Sequence, residues 1–196
     1  QDLLSHVQAN PNKVKQYTAG PGTVPFTVNA MIGSLTKFDT IRIPFDGDGP
    51  AIAALQGGHA DIGFIASGAV IEHIKAGRLK ALGVLSDKPY QGIPPMTDAP
   101  SVRNITKYLP WGAWYGVFVR KEAPDEVKAK LVAAFKKAAE TPKYREFMAN
   151  RGTTILNLSG AEAEKFIKKW QSTTAWLYQG AGVAKKNPAE LGIAKP

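Results

Sequence analysis

IRIPFDGDGPAIAALQGGHADIGFIASG, residues 41–68, decides how this chain folds. Ile41 and Ile43 alternate with a polar neighbour, and Pro44-Phe45 carries that strand out to a loop. Gly47, Gly49 and Pro50 break it. Proline suits the first turn of a helix, so the spacing predicts a short helix from Pro50 to Leu55, capped by Asp48 or Gly49. Gly57-Gly58 ends it, because a helix end that needs positive φ takes glycine at little cost. Asp61 to Ile65 is an apolar run of strand length, expected to be buried on both faces. The unit is βαβ, and its loops gather at the carboxyl ends of its strands, where α/β sheets bind ligands.

The same alternation runs outward on both sides. Asp2 to Gln8 reads as a short helix and Val14 to Thr18 as a strand, followed by Ala19-Gly20-Pro21-Gly22-Thr23. Thr23 is placed to cap a helix from Val24 to about Leu35, with Val28, Met31, Ile32 and Leu35 on one face. Beyond the central unit come a helix near Ala69–Ala76 and a strand at Lys80–Leu85. Asp87 to Pro110 is proline-rich and aperiodic, with a short helix expected near Ser101–Tyr108. Gly112–Val119 and Thr153–Leu158 read as strands. Pro124 opens a helix to about Ala139, with Val127, Leu131, Phe135 and Ala138 as its expected buried stripe, and Thr141-Pro142 opens another. Ser159-Gly160-Ala161-Glu162 has the form of a capping box before a long amphipathic helix. Strands alternate with helices, so the class is α/β with a mainly parallel sheet.

Composition bounds the function. The 196 residues are 44% hydrophobic and 21% charged, ordinary proportions for a folded protein with a proper core. There is no cysteine, which excludes disulfides and thiolate metal sites. No apolar run approaches the roughly 20 residues of a membrane helix. Gln1-Asp2-Leu3-Leu4 lacks the basic start and apolar core of a signal peptide, so a cytosolic chain, an already processed one and a fragment beginning inside a longer protein are all open readings. The net charge of +9 suits an anionic partner, but the lysines spread over helix faces without an aromatic-basic stripe, which argues against nucleic acid.

Three loops offer chemistry. Ala19–Thr23, Asp46–Gly49 and Ser67–Gly68 each precede a helix, whose first backbone N–H groups are unpaired and suit a carboxylate or phosphate. Each alone reads more readily as a plain βα turn; three along one sheet shift the balance toward a shared anion pocket. There is no G-x-G-x-x-G and no Walker lysine. Asp46-Gly47-Asp48-Gly49 resembles the start of a calcium loop, yet the position that needs a bidentate glutamate is Gly57. His6, His59 and His73 lack metal-ligand spacing, and no serine sits in a nucleophile elbow. No cofactor is expected.

Four segments in order then carry a resemblance. Tyr17-Thr18-Ala19-Gly20-Pro21-Gly22-Thr23 is followed by Ile43-Pro44-Phe45-Asp46-Gly47 with Pro50-Ala51, by Gly57-Gly58-His59-Ala60-Asp61, and by Ile74-Lys75-Ala76-Gly77-Arg78-Leu79-Lys80-Ala81-Leu82. Trp114–Phe118, Ala123–Val127 and Gly160–Ala163 continue the series. The set resembles the substrate-binding receptors of tripartite tricarboxylate transporters, the Bug family, over nearly the whole chain.

The resemblance implies a type II periplasmic-binding-protein fold of two lobes, each with a mainly parallel sheet flanked by helices, the first lobe incomplete. Residues 1–109 would be the second, ligand-binding lobe and residues 110–196 the return to the first. The implied function is capture of a small organic acid in the cleft and its delivery to membrane transporter subunits, in the periplasm and without catalysis. By position, Gly20, Gly22 and Thr23 would cradle one carboxylate, Phe26 and Phe45 would pack on the ligand body, and Ala66 and Ser67 would close the floor. Family members are longer and begin with a further strand and glycine-rich loop, so an exposed strand edge and self-association through the incomplete lobe are expected. Two positions depart from the family pattern: Asp46, often lysine, and Phe26, often histidine. Asp46 with Asp48 would repel an anion unless both face away. An α/β enzyme using the same helix starts, and a basic polyanion-binding module, are the alternative readings.

Overall fold

β1 (Lys15–Thr18) is the centre about which the first half of this computed structural model, which describes residues 2–196, is arranged. Its middle residues, Gln16 and Tyr17, are both buried, and the pleat sends their side chains to opposite faces. β2 (Ile41–Pro44) pairs with it in parallel, Lys15 opposite Ile41 and Thr18 opposite Pro44. On the other edge Gln16 bridges Ile62, also in parallel, held by Tyr17 N–H to Ile62 O at 2.9 Å and Asp61 N–H to Lys15 O at 2.8 Å.

The expected strand Asp61–Ile65 is therefore one bridge long. The chain leaves the ladder at Gly63, which lies against the Tyr17 ring: a Cβ there would sit 3.3 Å from Tyr17 Cβ. The expected helix from Pro50 instead starts two residues earlier. α3 (Asp48–Gln56) follows Gly47, whose φ of +96° only glycine adopts freely, and Pro50 falls inside its first turn.

α2 (Val24–Gly33) connects β1 to β2 and is buried from Thr27 to Ile32 on every side, the mark of a helix enclosed by its neighbours. Its polar residues are all partnered. Asn29 Oδ1 accepts from Gln16 Nε2 at 3.2 Å, Thr40 donates to Gln16 Oε1, and Thr27 bonds both the Thr23 carbonyl and the Tyr178 hydroxyl. Low dielectric makes an orphaned amide costly here, so the satisfied Gln16 fixes the register of β1 against α2. α1 (Asp2–Ala9) closes the core with Leu4 and Val7, which pack with Val28, Met31, Ile32, Phe38, Val102 and Ile105. α4 (Ser67–Lys75) follows the Ile62 segment.

The second half is built on helices. A 3₁₀ segment (Pro100–Tyr108) precedes Trp111, whose indole donates to Thr174 Oγ1 at 2.9 Å and stacks on Trp170 at 6.0 Å. Both partners lie on α7 (Gly160–Gly180), which packs along α2. Between them run α5 (Asp125–Glu140) and α6 (Pro142–Asn150).

Several expectations for this half are corrected. Lys80–Leu85 forms one bridge, Val84 to Pro95, rather than a strand. Gly112–Val119 and Thr153–Leu158 join no ladder, because no neighbouring backbone lies alongside them among the described residues. The stripe Val127, Leu131, Phe135 and Ala138 is not buried: Phe135 is 50% exposed, since α5 packs on α6 and α6 has no buried residue of its own. Ser159 is the residue before α7 but makes no cap bond, as Gly160 enters the helix at φ +53° and breaks the regular first turn the reciprocal box needs.

Candidate functional site

Parallel pairing puts the carboxyl ends of β1, β2 and the Ile62 segment on one edge. The loops Ala19–Thr23, Phe45–Gly47 and Gly63–Ala66 therefore leave the sheet together, each running into a helix. What each helix start offers is settled by side chains that arrive from elsewhere.

The start of α3 holds the chain's own carboxylate. Asp48 lies in its first turn, where negative charge is favoured, and its Oδ1 accepts from the buried Tyr17 hydroxyl at 3.2 Å. Burial, then the Asp48 charge and hydrogen bond, push the Tyr17 phenol up to about 12. Phe45 turns its ring edge to the same tyrosine, 6.0 Å between centroids. The start of α4 is covered by the turn after α6. Ser67 Oγ donates to Gly152 O at 3.0 Å, and the Gly68 backbone faces Arg151 and Thr153. Gly152 fits because it has no side chain: a Cβ would stand 2.5 Å from the Tyr90 hydroxyl.

The start of α2 differs from both. Its first turn has no acidic residue and Thr23 makes no side-chain cap bond. The Thr23 hydroxyl instead donates to Gly20 O at 2.7 Å, tightening the Gly20–Thr23 turn, in which Gly22 has φ +88°. Pro25 has no N–H, so the amides of Gly22, Val24 and Phe26 are the donors this turn presents. Phe26 is half-buried and meets Tyr178 of α7 edge-on at 5.5 Å.

Of the seven residues singled out from sequence, Gly20, Gly22 and Thr23 form one turn, and Phe26 follows them on α2. Phe45 joins them through Tyr17 along the sheet edge. Ala66 and Ser67 stand at the start of α4, with Ser67 turned to Gly152. Cavities of about 620 and 340 Å³ lie elsewhere, the first lined by Arg78, Lys80 and Gln91, the second by His6, Lys13 and Asp61. Asp48 and Ser67 thus turn two of the three helix starts to contacts within the chain, while the first turn of α2 carries neither an acidic residue nor a cap bond. Sequence reading did not place Tyr17, Tyr178 or Gly152 at this edge. Their partners are 31, 151 and 85 residues away, and no local signal encodes such pairs. Among the described residues no cluster of three or more His, Asp or Glu side chains could hold a metal.

The chain has the fold of the periplasmic binding proteins. The structure of periplasmic binding protein BugD superposes with a TM-score of 0.74 at 23% identity, over 94% of this chain and 62% of that one. An R. palustris protein solved with adipate gives a TM-score of 0.74 at 16% identity, over 93% of this chain and 60% of that one. In sequence, a UPF0065 protein of Bordetella pertussis is 27% identical over 182 residues, 93% of this chain and 56% of the relative. The profile of the tripartite tricarboxylate transporter family receptor matches residues 1–182, and the chain belongs to that family. It is a family of transporter receptors, not of enzymes. The chain spans 56% to 62% of the length of these three.

Proposed function

We propose that this chain is part of an extracytoplasmic solute-binding receptor that captures a small organic acid and delivers it to the membrane subunits of a tripartite tricarboxylate-type transporter. The observation that carries the reading is the start of α2, open and uncharged at the carboxyl edge of a parallel sheet in a member of this receptor family. Gly22, Val24 and Phe26 amides take one carboxylate, with Gly20 letting the backbone come close and Thr23 supplying its hydroxyl. Phe26 and Phe45 pack on the carbon body of the ligand, and Ala66 and Ser67 close the floor. The adipate bound by a solved neighbour is a ligand of this chemical class. The setting is the periplasm, and the working units are residues 1–109 as the ligand-binding lobe and residues 110–196 as the return to its partner lobe. No nucleic acid enters this function. When nothing else covers the open second half, copies of the chain self-associate through it.

Thr23 gives the test. Its hydroxyl already donates to Gly20 O, so ligand capture exchanges that bond for one to a charged acceptor, which is worth about 1.5–3 kcal/mol. Calorimetric titration with di- and tricarboxylates is expected to show saturable binding that Thr23→Ala weakens about tenfold to a hundredfold. Equal affinities for wild type and variant would remove the carboxylate from this turn. No binding by any acid would remove the function.

A further inference from the structure

A threonine buried inside a helix turns its hydroxyl back to the carbonyl four residues earlier. Thr27, near the start of α2 and 1% exposed, does this: its Oγ1 donates to Thr23 O at 2.9 Å. The Thr27 N–H reaches the same oxygen at 3.0 Å. A hydroxyl has one proton to give, so the contact between Thr27 Oγ1 and the Tyr178 hydroxyl runs the other way, with Tyr178 donating. The order is Tyr178 to Thr27 to Thr23 O, and it crosses from α7 to α2 over 151 residues. The Tyr178 ring adds a second hold on the same turn, edge-on to Phe26 at 5.5 Å. The helix does not need this pair of hydroxyls for its own stability, because such back-bonding slightly weakens a helix and valine has the shape of threonine.

Thr23 C=O and Val24 N–H belong to one planar peptide group. Hydrogen bonds donated to that oxygen polarise the group and strengthen its N–H as a donor, as along any chain of hydrogen bonds. Val24 N–H is unspent at the start of α2: among the described residues it donates to no backbone carbonyl. We propose that Tyr178 is a positioning residue for anion capture at this turn. Through Thr27 it fixes the Thr23 carbonyl and makes the Val24 amide a better donor to a carboxylate. The role rests on the reading of the α2 start as the carboxylate site, and adds to that site a control held by α7. Coupling between two groups is reciprocal, so a carboxylate on Val24 N–H in turn tightens the Tyr178–Thr27 bond that ties α7 to α2.

Tyr178→Phe keeps the ring on Phe26 and removes only the donor. Thr27→Val keeps the shape of the buried side chain and removes the relay. Both variants and their double are titrated by calorimetry with di- and tricarboxylates, and the Val24 amide resonance of each is recorded without ligand in isotope-labelled protein. Tyr178→Phe is expected to weaken the best-bound acid about two- to fivefold, and Thr27→Val at least as much. The double variant is expected to bind as Thr27→Val does, because Tyr178 acts only through Thr27. Both single variants are expected to move the Val24 amide resonance. Melting is not the deciding readout, since loss of this bond lowers Tm by about 2–4 °C whether or not it serves the site. Wild-type affinity in Tyr178→Phe overturns the proposal and leaves the α2 site standing. So does a Tyr178→Phe loss that persists in full beside Thr27→Val, or a Val24 resonance that stays in place. Wild type that binds no acid removes the carboxylate site itself, and the positioning role with it, without recourse to either variant.

Discussion

Tyr17→Phe isolates the contact that occupies the start of α3. The side chain is 1% exposed, its ring lies against Gly63 and Phe45, and only its hydroxyl reaches a polar group, Asp48 Oδ1 at 3.2 Å. Phenylalanine keeps the ring, so packing is unchanged. The lost hydrogen bond has a charged acceptor, but Asp48 is half-exposed and recovers water, so the loss at pH 7 is about 1 kcal/mol. For a chain of this size that lowers Tm by about 2–4 °C. The pH dependence is more telling. The Tyr17 pKa of about 12 in the folded state exceeds the ordinary value of 10.0. Above the unfolded value the unfolded chain releases its proton and the folded one retains it. The stabilisation is therefore complete below pH 10 and is lost between about pH 10 and pH 12, at roughly 1.4 kcal/mol per pH unit. Denaturant unfolding of both proteins from pH 7 to pH 12 measures it. The two proteins differ at this hydroxyl alone, so the difference between the curves belongs to Tyr17. The two curves are expected to converge and then cross as pH rises. A constant offset over the whole range would refute the claim that burial and Asp48 hold this phenol protonated.

Two glycines give further checks. Gly22→Ala forces a side chain into φ +88° with no atom within 4 Å, so strain alone acts, and a loss of about 1 kcal/mol is expected, while Gly20→Ala, free of both strain and crowding, melts as wild type. Gly152→Ala drives a methyl against the Tyr90 hydroxyl at a residue already at φ +66°, and is expected to cost about 2–4 kcal/mol. Gly152→Ala with Tyr90→Phe should recover part of that loss in a double-mutant cycle; strict additivity would show that the α6 turn does not press on Tyr90.

Much of the fold was legible in residue order. Glycine and proline act within a few residues, so Gly20-Pro21-Gly22, Gly47 to Pro50 and Gly57-Gly58 mark real loop and helix boundaries, off by two residues at α3. The 3.6-residue spacing located α2, α5 and α7, and parallel alternation alone required the three loops to share an edge. Membership of the receptor family was also readable from ordered motifs that span the chain. Tertiary structure decided the rest. Whether Gly112–Val119 is a strand depends on a backbone beside it, and its periodicity, which reports only what the segment can do, was silent on that. Which helix start stays open was equally non-local: Asp48 is taken by Tyr17 and Ser67 by Gly152, pairs that exist only once sheet and helices have packed. Local dihedral preferences are written residue by residue, whereas hydrogen-bond partners tens of residues apart are chosen by the packing that brings them within about 3 Å of each other.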